Sequence, residues 1–522
     1  MSLENPFLTL FDTDLPDLSA VPEAISLTAR ESGYSCSGPY KLWKHDERID
    51  LADGFSYVHG FELTPFDHTR IVVSSRYFFF EPGAELPSRF SFTDFLDEGR
   101  IPKVDDYPIR IERILKLMQE FSLRQPAFSS KPVVPIQIWE NLRSFTQVET
   151  SISAPQNCDT KMSINLKNGG LYRSPHGFMI SIVAPPDRTA VAGQLREEFT
   201  RSFRDLKIEV AIECHSENLL EKSLAEFESR KSGPTPGHVT FIGVSGRKGD
   251  YIPENIERCL VTLDRHRIPY RLFSLDNQNF RWSVLDMSII AVQLAGGIPY
   301  RVRLPLGANL PNPVFIGFDM GHPKDGESVV VGTAVDRFGS LLAYWEGRQP
   351  RDETLSEKCL RDALKFLTTV LRKRFPDGYQ PVIIRDGRMF ENESLYPYEE
   401  AFQGGFSFIE VRKSGVPLFC DGLNLVPPGT ACRIPNHGGL VLLAHYGNVR
   451  THQLNPIRID VVRNGHGIDE LELLKIVTGL CYAPILGLLP SRIPAPIYWA
   501  DGIAGNNPIN HQFRGLHFVN HN

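Results

Sequence analysis

The feature that most constrains the fold is an alternation, from about residue 171 onward, of short apolar segments with segments of helical periodicity. Residues 177–185 (GFMISIVAP) have the length and composition of a buried strand, and residues 191–204 carry apolar side chains at helical spacing. Two further strands are predicted at residues 238–244 (HVTFIGV) and 268–275 (IPYRLFSL). Strand–helix alternation of this kind predicts a mostly parallel sheet covered on both faces.

A second pattern begins near residue 314. Three strand-like segments follow one another across short turns, at residues 314–320 (VFIGFDM), 328–336 (SVVVGTAVD) and 341–346 (LLAYWE). A helix is predicted from about residue 355 to 374, and a fourth strand at 381–386 (PVIIRD). Three adjacent strands, a helix and another strand are the outline of a ribonuclease H-like domain.

Three of the apolar runs end in, or lead directly into, an aspartate. These residues are Asp319, Asp386 and Asp501, and Glu353 lies in the polar segment RDETLSEKCL between them. An unpaired buried carboxylate is costly, so this arrangement is a poor way to stabilise a core. Carboxylate oxygens are hard ligands for divalent cations. Carboxylates converging from distant segments can hold two metal ions and support in-line attack of water on a phosphodiester.

Size and composition limit the alternatives. At 522 residues, the chain is long enough for about three domains. The sequence shows no apolar stretch of membrane-spanning length and no secretory leader pattern. Its eight cysteines are scattered and form no CxxC pair. We therefore expect a protein of the reduced cytoplasm. The net charge of −6 speaks against a surface coated by nucleic acid. A local basic groove is nevertheless enough to bind a single strand.

The N-terminal part has a different character. Residues 1–105 contain short aromatic and β-branched segments separated by turns, which predicts a β-rich domain. Residues 106–125 predict an amphipathic helix, which opens a linker region at 106–165. The strand–helix pattern then predicts one domain at 166–305 and the carboxylate-bearing pattern another at 306–522.

Four motifs, taken in order, carry a family resemblance. They are Gly296-Gly-Ile-Pro-Tyr300, Ile316-Gly-Phe-Asp319, Arg385-Asp-Gly-Arg388 and Pro494-Ala-Pro-Ile-Tyr-Trp-Ala-Asp501. In this order and spacing, residues 306–522 resemble the PIWI domain of an Argonaute, and residues 166–305 resemble its MID domain. The resemblance implies an α/β multidomain fold: a β-rich N-terminal region, a Rossmann-like MID domain and a ribonuclease H-like PIWI domain. The N-terminal part is short for the family, which implies a reduced or absent PAZ domain.

The resemblance also implies a function. We expect a metal-dependent, guide-directed endonuclease that binds a short single-stranded guide, with DNA favoured, and cleaves a complementary RNA or DNA target using Mg²⁺ or Mn²⁺. Asp319, Asp386 and Asp501 then ligate metal, and Glu353 is the fourth catalytic residue, on a mobile loop. Glu346 is the competing assignment for that fourth residue, but it closes a strand and has an ordinary reading as an edge residue. A monomer acting in host defence is expected.

Candidates for binding the guide are less complete. In the family, a Tyr/Lys/Gln/Lys set in the MID domain holds the 5′ phosphate. Here the positions in and around that set are occupied by Arg258, Arg271 and Gln293, and Arg247 and Lys248 lie in a nearby loop. Either these cations replace the missing lysines, or the pocket accepts a 5′ hydroxyl. Lys413 resembles a family position near the guide backbone, although an ordinary surface lysine is the simpler interpretation.

Two alternatives remain open at this level. The first is a guide-dependent binding module whose carboxylates are silent and whose partner performs cleavage. The second is a guide-independent ribonuclease H-like nuclease, with a generic α/β sheet in place of a MID domain. Each acidic residue taken alone is explained as well by a turn, a helix cap or a solvated position.

Overall fold

The computed structural model describes residues 3–504, except for 16–19, 39, 52–53, 68, 89–105, 151–155, 158–165, 168, 217–236, 245–255, 257–259, 261–262, 264–268, 276–279, 281–282, 323–325, 404, 445–455 and 484–489. The chain divides into two compact units. Unit 1 comprises Met1–Asn141 and Val411–Asp460, and unit 2 comprises Leu142–Glu410 and Val461–Asn522.

The described elements of unit 1 are mainly strands. In chain order they are β1 (Pro6–Thr13), α1 (Ala20–Glu31), β2 (Ser35–Ser37), β3 (Lys41–Trp43), β4 (Ile49–Asp50), β5 (Ser56–Asp67), β6 (Arg70–Phe80), α2 (Tyr107–Arg124), β7 (Phe128–Val133) and β8 (Gln137–Trp139). Its second segment adds β21 (Phe419–Asp421), β22 (Asn424–Leu425), β23 (Thr430–Arg433) and β24 (Leu440–Leu443).

Unit 2 alternates strands and helices. Its first part contains β9 (Gln147–Glu149), β10 (Gln156–Asn157), β11 (Met179–Ala184), α3 (Thr189–Asp205), β12 (Ala211–Ser216), β13 (His238–Val244), β14 (Tyr270–Ser274), α4 (Val284–Leu294) and β15 (Arg301–Arg303). Its second part contains β16 (Pro313–Gly321), β17 (Ser328–Val335), β18 (Leu341–Gln349), α5 (Glu357–Arg374), β19 (Gln380–Asp386), α6 (Tyr396–Ala401), α7 (Glu470–Cys481) and α8 (Ala495–Ala504). The chain passes between the units after Asn141 and again within β20 (Ser407–Arg412) and β25 (Ile457–Asn464).

The sheet of unit 1 is built around the long hairpin of β5 and β6. Its strand order is β2-β3-β5-β6-β1-β21-β22, and β7 also pairs with β1. The predicted amphipathic helix is α2, which buries Ile114, Leu117, Met118 and Phe121 in one cluster with side chains of the sheet. Each such side chain contributes roughly 1.5–3 kcal/mol when it leaves water. The β-rich character predicted for this region is confirmed, and α1 is an element that the sequence analysis did not anticipate.

The first sheet of unit 2 is the predicted parallel one. Its order is β12-β11-β13-β14, and every pairing in it is parallel. Helices α3 and α4 are joined by a buried hydrogen bond of 2.8 Å between the hydroxyls of Ser288 and Ser202. Helix α4 ends just before Gly296, whose φ of +83° suits a residue without a side chain. Strand β12 was not predicted, since half of its residues (AIECHS) are polar.

The second sheet of unit 2 has the ribonuclease H-like outline that the sequence predicts. Strands β18, β17 and β16 are antiparallel neighbours, and β19 runs parallel to β16. Helix α5 begins after Ser356, whose hydroxyl accepts from the backbone N–H of Cys359 at 3.3 Å. Its apolar stripe, including Leu360, Leu364 and Leu367, packs against Ile316 and Phe318 of β16, among others.

Two global expectations can be compared with the structure. In the part of the chain that the structure describes, no helix has the length and apolar character needed to span a bilayer. Within those same residues the cysteines are free thiols. Cys158 and Cys259 lie outside the described residues.

Candidate metal centre

The parallel pairing of β16 with β19 determines where the first two aspartates emerge. Phe318 pairs with Arg385 in this register, so the next residues along the two strands are Asp319 and Asp386. Because parallel strands end at the same edge of a sheet, both carboxylates are delivered at one point. Asp319 is fixed further by its own backbone, since the N–H of Met320 donates to Asp319 Oδ1 at 2.7 Å.

Helix α8 brings the third aspartate over the same strands. The helix lies directly against β16, where a Cβ at Gly317 would overlap the carbonyl group of Pro496. On β17, the buried hydroxyl of Thr333 donates to the carbonyl of Pro496 at 2.8 Å. One turn further along α8, Ala500 packs against Val331. Because Gly317 has no side chain, α8 can approach β16 this closely. The approach places Asp501 above the ends of β16 and β19.

Three of the four predicted carboxylates therefore meet. Asp319, Asp386 and Asp501 each offer an oxygen atom, and these atoms lie within 4.8 Å of one another. The first two side chains are half-buried and the third is exposed, so the cluster is open to solvent and to a ligand. Such an all-oxygen, carboxylate-rich donor set fits Mg²⁺ or Mn²⁺.

Glu353 lies outside this cluster. Its side chain is 79% exposed, in the loop between β18 and α5, and its Oε2 lies 3.5 Å from Nε2 of His322. The other ring nitrogen of His322 contacts the hydroxyl of Ser328 at 2.9 Å. His322 follows β16 by one residue, so this contact connects the Glu353 loop with the strand that carries Asp319.

The base of the Glu353 loop is held firmly. The amide of Gln349, which is 3% exposed, donates to the carbonyl of Thr354 at 2.6 Å and accepts from the N–H of Ser356 at 2.8 Å. The N–H of Leu355 donates to Glu393 Oε1 at 2.7 Å. The loop therefore has a fixed base and an exposed tip, and Glu353 is at the tip.

Glu346, the competing candidate, lies on β18. It pairs with Val331 of β17, which in turn pairs with Asp319. Since strands are spaced at about 4.8 Å, Glu346 is about two strand spacings from Asp319 on the same face of the sheet. Its backbone is held in the sheet, whereas Glu353 lies at the exposed tip of a loop.

A buried ion pair behind the cluster was not anticipated as a functional feature. Arg385 and Glu393 are 8% and 6% exposed, and their charged groups meet at 2.5 and 2.7 Å. Glu393 also accepts from the N–H of Phe390 at 2.8 Å, in addition to its bond from Leu355. Glu393 thus joins the strand that ends in Asp386 to the base of the Glu353 loop. Glu393 lies seven residues after Asp386, but this spacing carries no signal that its carboxylate pairs with Arg385.

The candidates for guide binding are only partly described. Arg258, Arg247 and Lys248 lie outside the described residues. Gln293 is buried in α4. Arg271 lies on β14 near Asp286 and Tyr498; burial lowers the pKa of its guanidinium to about 10, and both neighbours act in the opposite direction. It therefore remains a cation at neutral pH, beside the helix that carries Asp501.

Lys413 directly follows β20 and is half-buried. It belongs to unit 1, whereas the three clustered aspartates belong to unit 2. Its predicted place near a guide backbone stays a prediction.

Comparison with known proteins identifies the fold. No family model and no curated protein sequence matches the chain. Among solved structures, Marinitoga piezophila Argonaute in complex with a 5′ OH guide RNA is similar with a TM-score of 0.69 at 9% identity, over 93% of this chain and 85% of that chain. Clostridium butyricum Argonaute bound to a guide DNA and a 19-mer target DNA gives 0.67 at 11% identity, with the same coverage. Drosophila Piwi gives 0.66 at 11% identity, over 95% and 85%.

Proposed function

Since the chain has an Argonaute-like fold, we propose that it is a guide-directed endonuclease that binds a short single-stranded guide and cleaves a complementary strand. The observation that carries this proposal is the convergence of Asp319, Asp386 and Asp501, from two strands and a helix, within 4.8 Å. A fold that only binds nucleic acid has no need to gather three carboxylates, because they repel one another and repel phosphate.

In the proposed mechanism, Asp319, Asp386 and Asp501 would together hold the divalent cations. Bound Mg²⁺ or Mn²⁺ supplies Lewis acidity to the phosphodiester and lowers the pKa of the attacking water. Glu353 moves from its exposed loop towards the three aspartates. His322, which directly follows β16, orients the Glu353 carboxylate through their contact. The fixed base of the loop limits this movement to the tip.

Sequence specificity in this proposal comes from base pairing, with the protein recognising backbone shape. A DNA guide is the favoured choice, and the target is RNA or DNA. Arg271 and Gln293, together with Arg258, Arg247 and Lys248, are proposed to surround the guide 5′ end. One structurally similar protein carries a 5′ OH guide. A neutral 5′ end suits a site in which Gln293 replaces a lysine.

The test is a cleavage matrix. Purified protein is incubated with Mn²⁺, labelled matched target, and DNA or RNA guides bearing either a 5′ phosphate or a 5′ hydroxyl. A single cut at a fixed distance from the guide 5′ end supports the proposal. Asp386→Asn is expected to abolish cutting while guide affinity stays within about threefold, because it removes a ligand charge without changing side-chain size. Asp377→Asn, at an exposed loop position between α5 and β19, is the matched control.

The two alternatives give different results in the same matrix. Cuts at many positions without guide indicate a guide-independent nuclease. Guide-dependent retention of target without any cut indicates a binding module, which the exposed position of Glu353 outside the cluster would then explain. Sequencing of copurified nucleic acids, with their 5′ chemistry, identifies the natural guide.

A further inference from the structure

Unit 1 contains a cavity of about 380 Å³ that is separate from any residue of the metal centre. Its floor is one face of the β5–β6 hairpin. Tyr57, His59 and Phe61 alternate along β5 and therefore share a face, and Tyr77 pairs with His59 from β6. The ring of His59 meets Tyr77 edge-on at 5.2 Å and Phe61 at 5.6 Å, between centroids. The floor is thus a continuous aromatic surface.

Helix α2 supplies one wall. Arg113, Lys116, Leu117 and Glu120 all line the cavity, and their spacing of three and four residues puts them on one stripe of the helix. Leu117 is buried in the core and anchors the stripe. The helix therefore presents two cations and a carboxylate to the aromatic floor.

The segment around β3 and β4 supplies another wall. Lys44 lies with its Nζ 4.9 Å from the ring centroid of Tyr34. The hydroxyl of Tyr34 donates to Glu120 Oε2 at 3.5 Å, which links this wall to α2. With Glu47, the cavity contains two carboxylates against the three cations Lys44, Arg113 and Lys116. The balance is one positive charge, as long as His59 is neutral.

His59 is held in the neutral form by its surroundings. Burial lowers its pKa to about 3, and the nearby cations Arg113 and Arg110 act in the same direction. The hydroxyl of Ser75 accepts from Arg110 Nε at 3.2 Å and lies 2.6 Å from His59 Nε2. The contact with Ser75 fixes the orientation of the His59 ring.

We propose that this cavity binds a nucleoside phosphate, with its base against the half-buried ring of Tyr77 and its phosphate among Lys44, Arg113 and Lys116. The volume lies within the usual range of small-molecule sites, roughly 300–1,000 Å³. Base–aromatic stacking with surrounding cations is a general way of binding single nucleotides. Glu120 and Glu47 then accept from ribose hydroxyls or from an exocyclic amino group.

The mixed charge favours this occupant over simpler ones. Inorganic phosphate has no apolar surface to contact the four aromatic rings, and an uncharged aromatic molecule has no charge to pair with the three cations. The two carboxylates disfavour a polyanion such as a triphosphate and require donors on the ligand, which nucleosides possess. The inference does not depend on the proposed cleavage, because it concerns unit 1 alone.

Isothermal titration calorimetry of the full chain, without divalent ions, tests the proposal. Adenosine monophosphate is expected to bind, and adenosine and inorganic phosphate to bind at least about tenfold more weakly. Tyr77→Leu removes a half-buried ring and is expected to weaken nucleotide binding about tenfold, the usual effect of losing one stacking partner. Lys116→Ala, on the exposed helix surface, is expected to weaken it less. Lys131→Ala, an exposed lysine of β7 outside the cavity, is the control.

Several outcomes overturn the proposal. They are no binding of adenosine monophosphate, binding unchanged in both Tyr77→Leu and Lys116→Ala, or tighter binding of phosphotyrosine than of any nucleotide. Melting temperatures of the variants show whether each is folded. A second cavity substitution, Lys44→Ala, leaves the floor intact, so loss of binding in it supports the proposal even where Tyr77→Leu is unstable.

The source of the nucleotide is resolved by a short single-stranded oligonucleotide. If it competes with adenosine monophosphate and Tyr77→Leu weakens both, the cavity takes the end of a strand. If Tyr77→Leu weakens only the mononucleotide, the cavity takes a free nucleotide; both results support the proposal. Failure of guide-directed cleavage leaves these titrations unaffected, so the two proposals can fail separately.

Discussion

Removal of Glu393 is the perturbation whose consequence can be worked out most fully from the structure. Glu393 receives two bonds from Arg385, one from the N–H of Phe390 and one from the N–H of Leu355. Glu393→Ala leaves the guanidinium of Arg385, which is 8% exposed, without its charge partner. It also leaves two backbone N–H groups without their acceptor. The strand that ends in Asp386 and the base of the Glu353 loop lose their common anchor.

The expected cost is large for a single substitution. Breaking a buried ion pair by removing one partner costs about 3–5 kcal/mol, since the remaining charge stays buried. The double variant Arg385→Leu/Glu393→Leu removes both charges and is expected to recover part of that loss. Glu400→Ala removes a carboxylate from the exposed ion pair with Arg361 on α5 and is expected to have little effect.

Urea denaturation of these variants, with hydrogen exchange of the β19 amides as a local probe, measures the effect. The reasoning predicts that Glu393→Ala lowers the free energy of unfolding by several times more than Glu400→Ala, and that the double variant lies between them. Equal effects for Glu393→Ala and Glu400→Ala would refute it. Target cleavage by Glu393→Ala is expected to fall even at temperatures where the variant is folded.

Three further predictions use other contacts. His322→Ala removes the contact to Glu353 and is expected to lower the single-turnover cleavage rate about 10–100-fold with unchanged guide affinity; an unchanged rate would exclude a guiding role. Gly317→Ala inserts a Cβ against α8 and is expected to lower the free energy of unfolding by about 1–3 kcal/mol and to weaken Mn²⁺ binding. Gly193 has open space around it, so Gly193→Ala is expected to have neither effect. The folded state keeps His59 neutral, whereas the unfolded state takes up a proton near pH 6.5. The free energy of unfolding of unit 1 is therefore expected to fall as pH drops from 6.5 towards 4.5, by up to about 1.4 kcal/mol per pH unit. His59→Gln should flatten this dependence on pH, and the same dependence in wild type and His59→Gln would contradict the prediction.

The sequence predicts the position of a residue best where that position depends only on the strand or helix in which the residue lies. Apolar runs ending in aspartate predict strands β16 and β19, and parallel pairing then brings Asp319 and Asp386 together. The position of Asp501 depends in addition on how α8 crosses the sheet. That crossing depends on Gly317 having no side chain. The motif Ile316-Gly-Phe-Asp319 contains this glycine but does not indicate that a helix packs against it.

Other features depend on contacts between distant segments, and pattern reasoning cannot supply these. Spacing puts Glu353 on a loop, but the location of its tip is set by Gln349, His322 and Glu393 together. The cavity of unit 1 combines residues from five separate stretches, none of which has an unusual pattern of its own. A single sequence carries no signal for such convergence.

The central claim is that Asp319, Asp386 and Asp501 form a cation site. Electron paramagnetic resonance of Mn²⁺, titrated into protein with guide and an uncleavable target, counts the bound ions directly. We expect wild type and Asp377→Asn to bind Mn²⁺, and Asp386→Asn to lose bound Mn²⁺. The same number of bound ions at the same affinity in Asp386→Asn would contradict it.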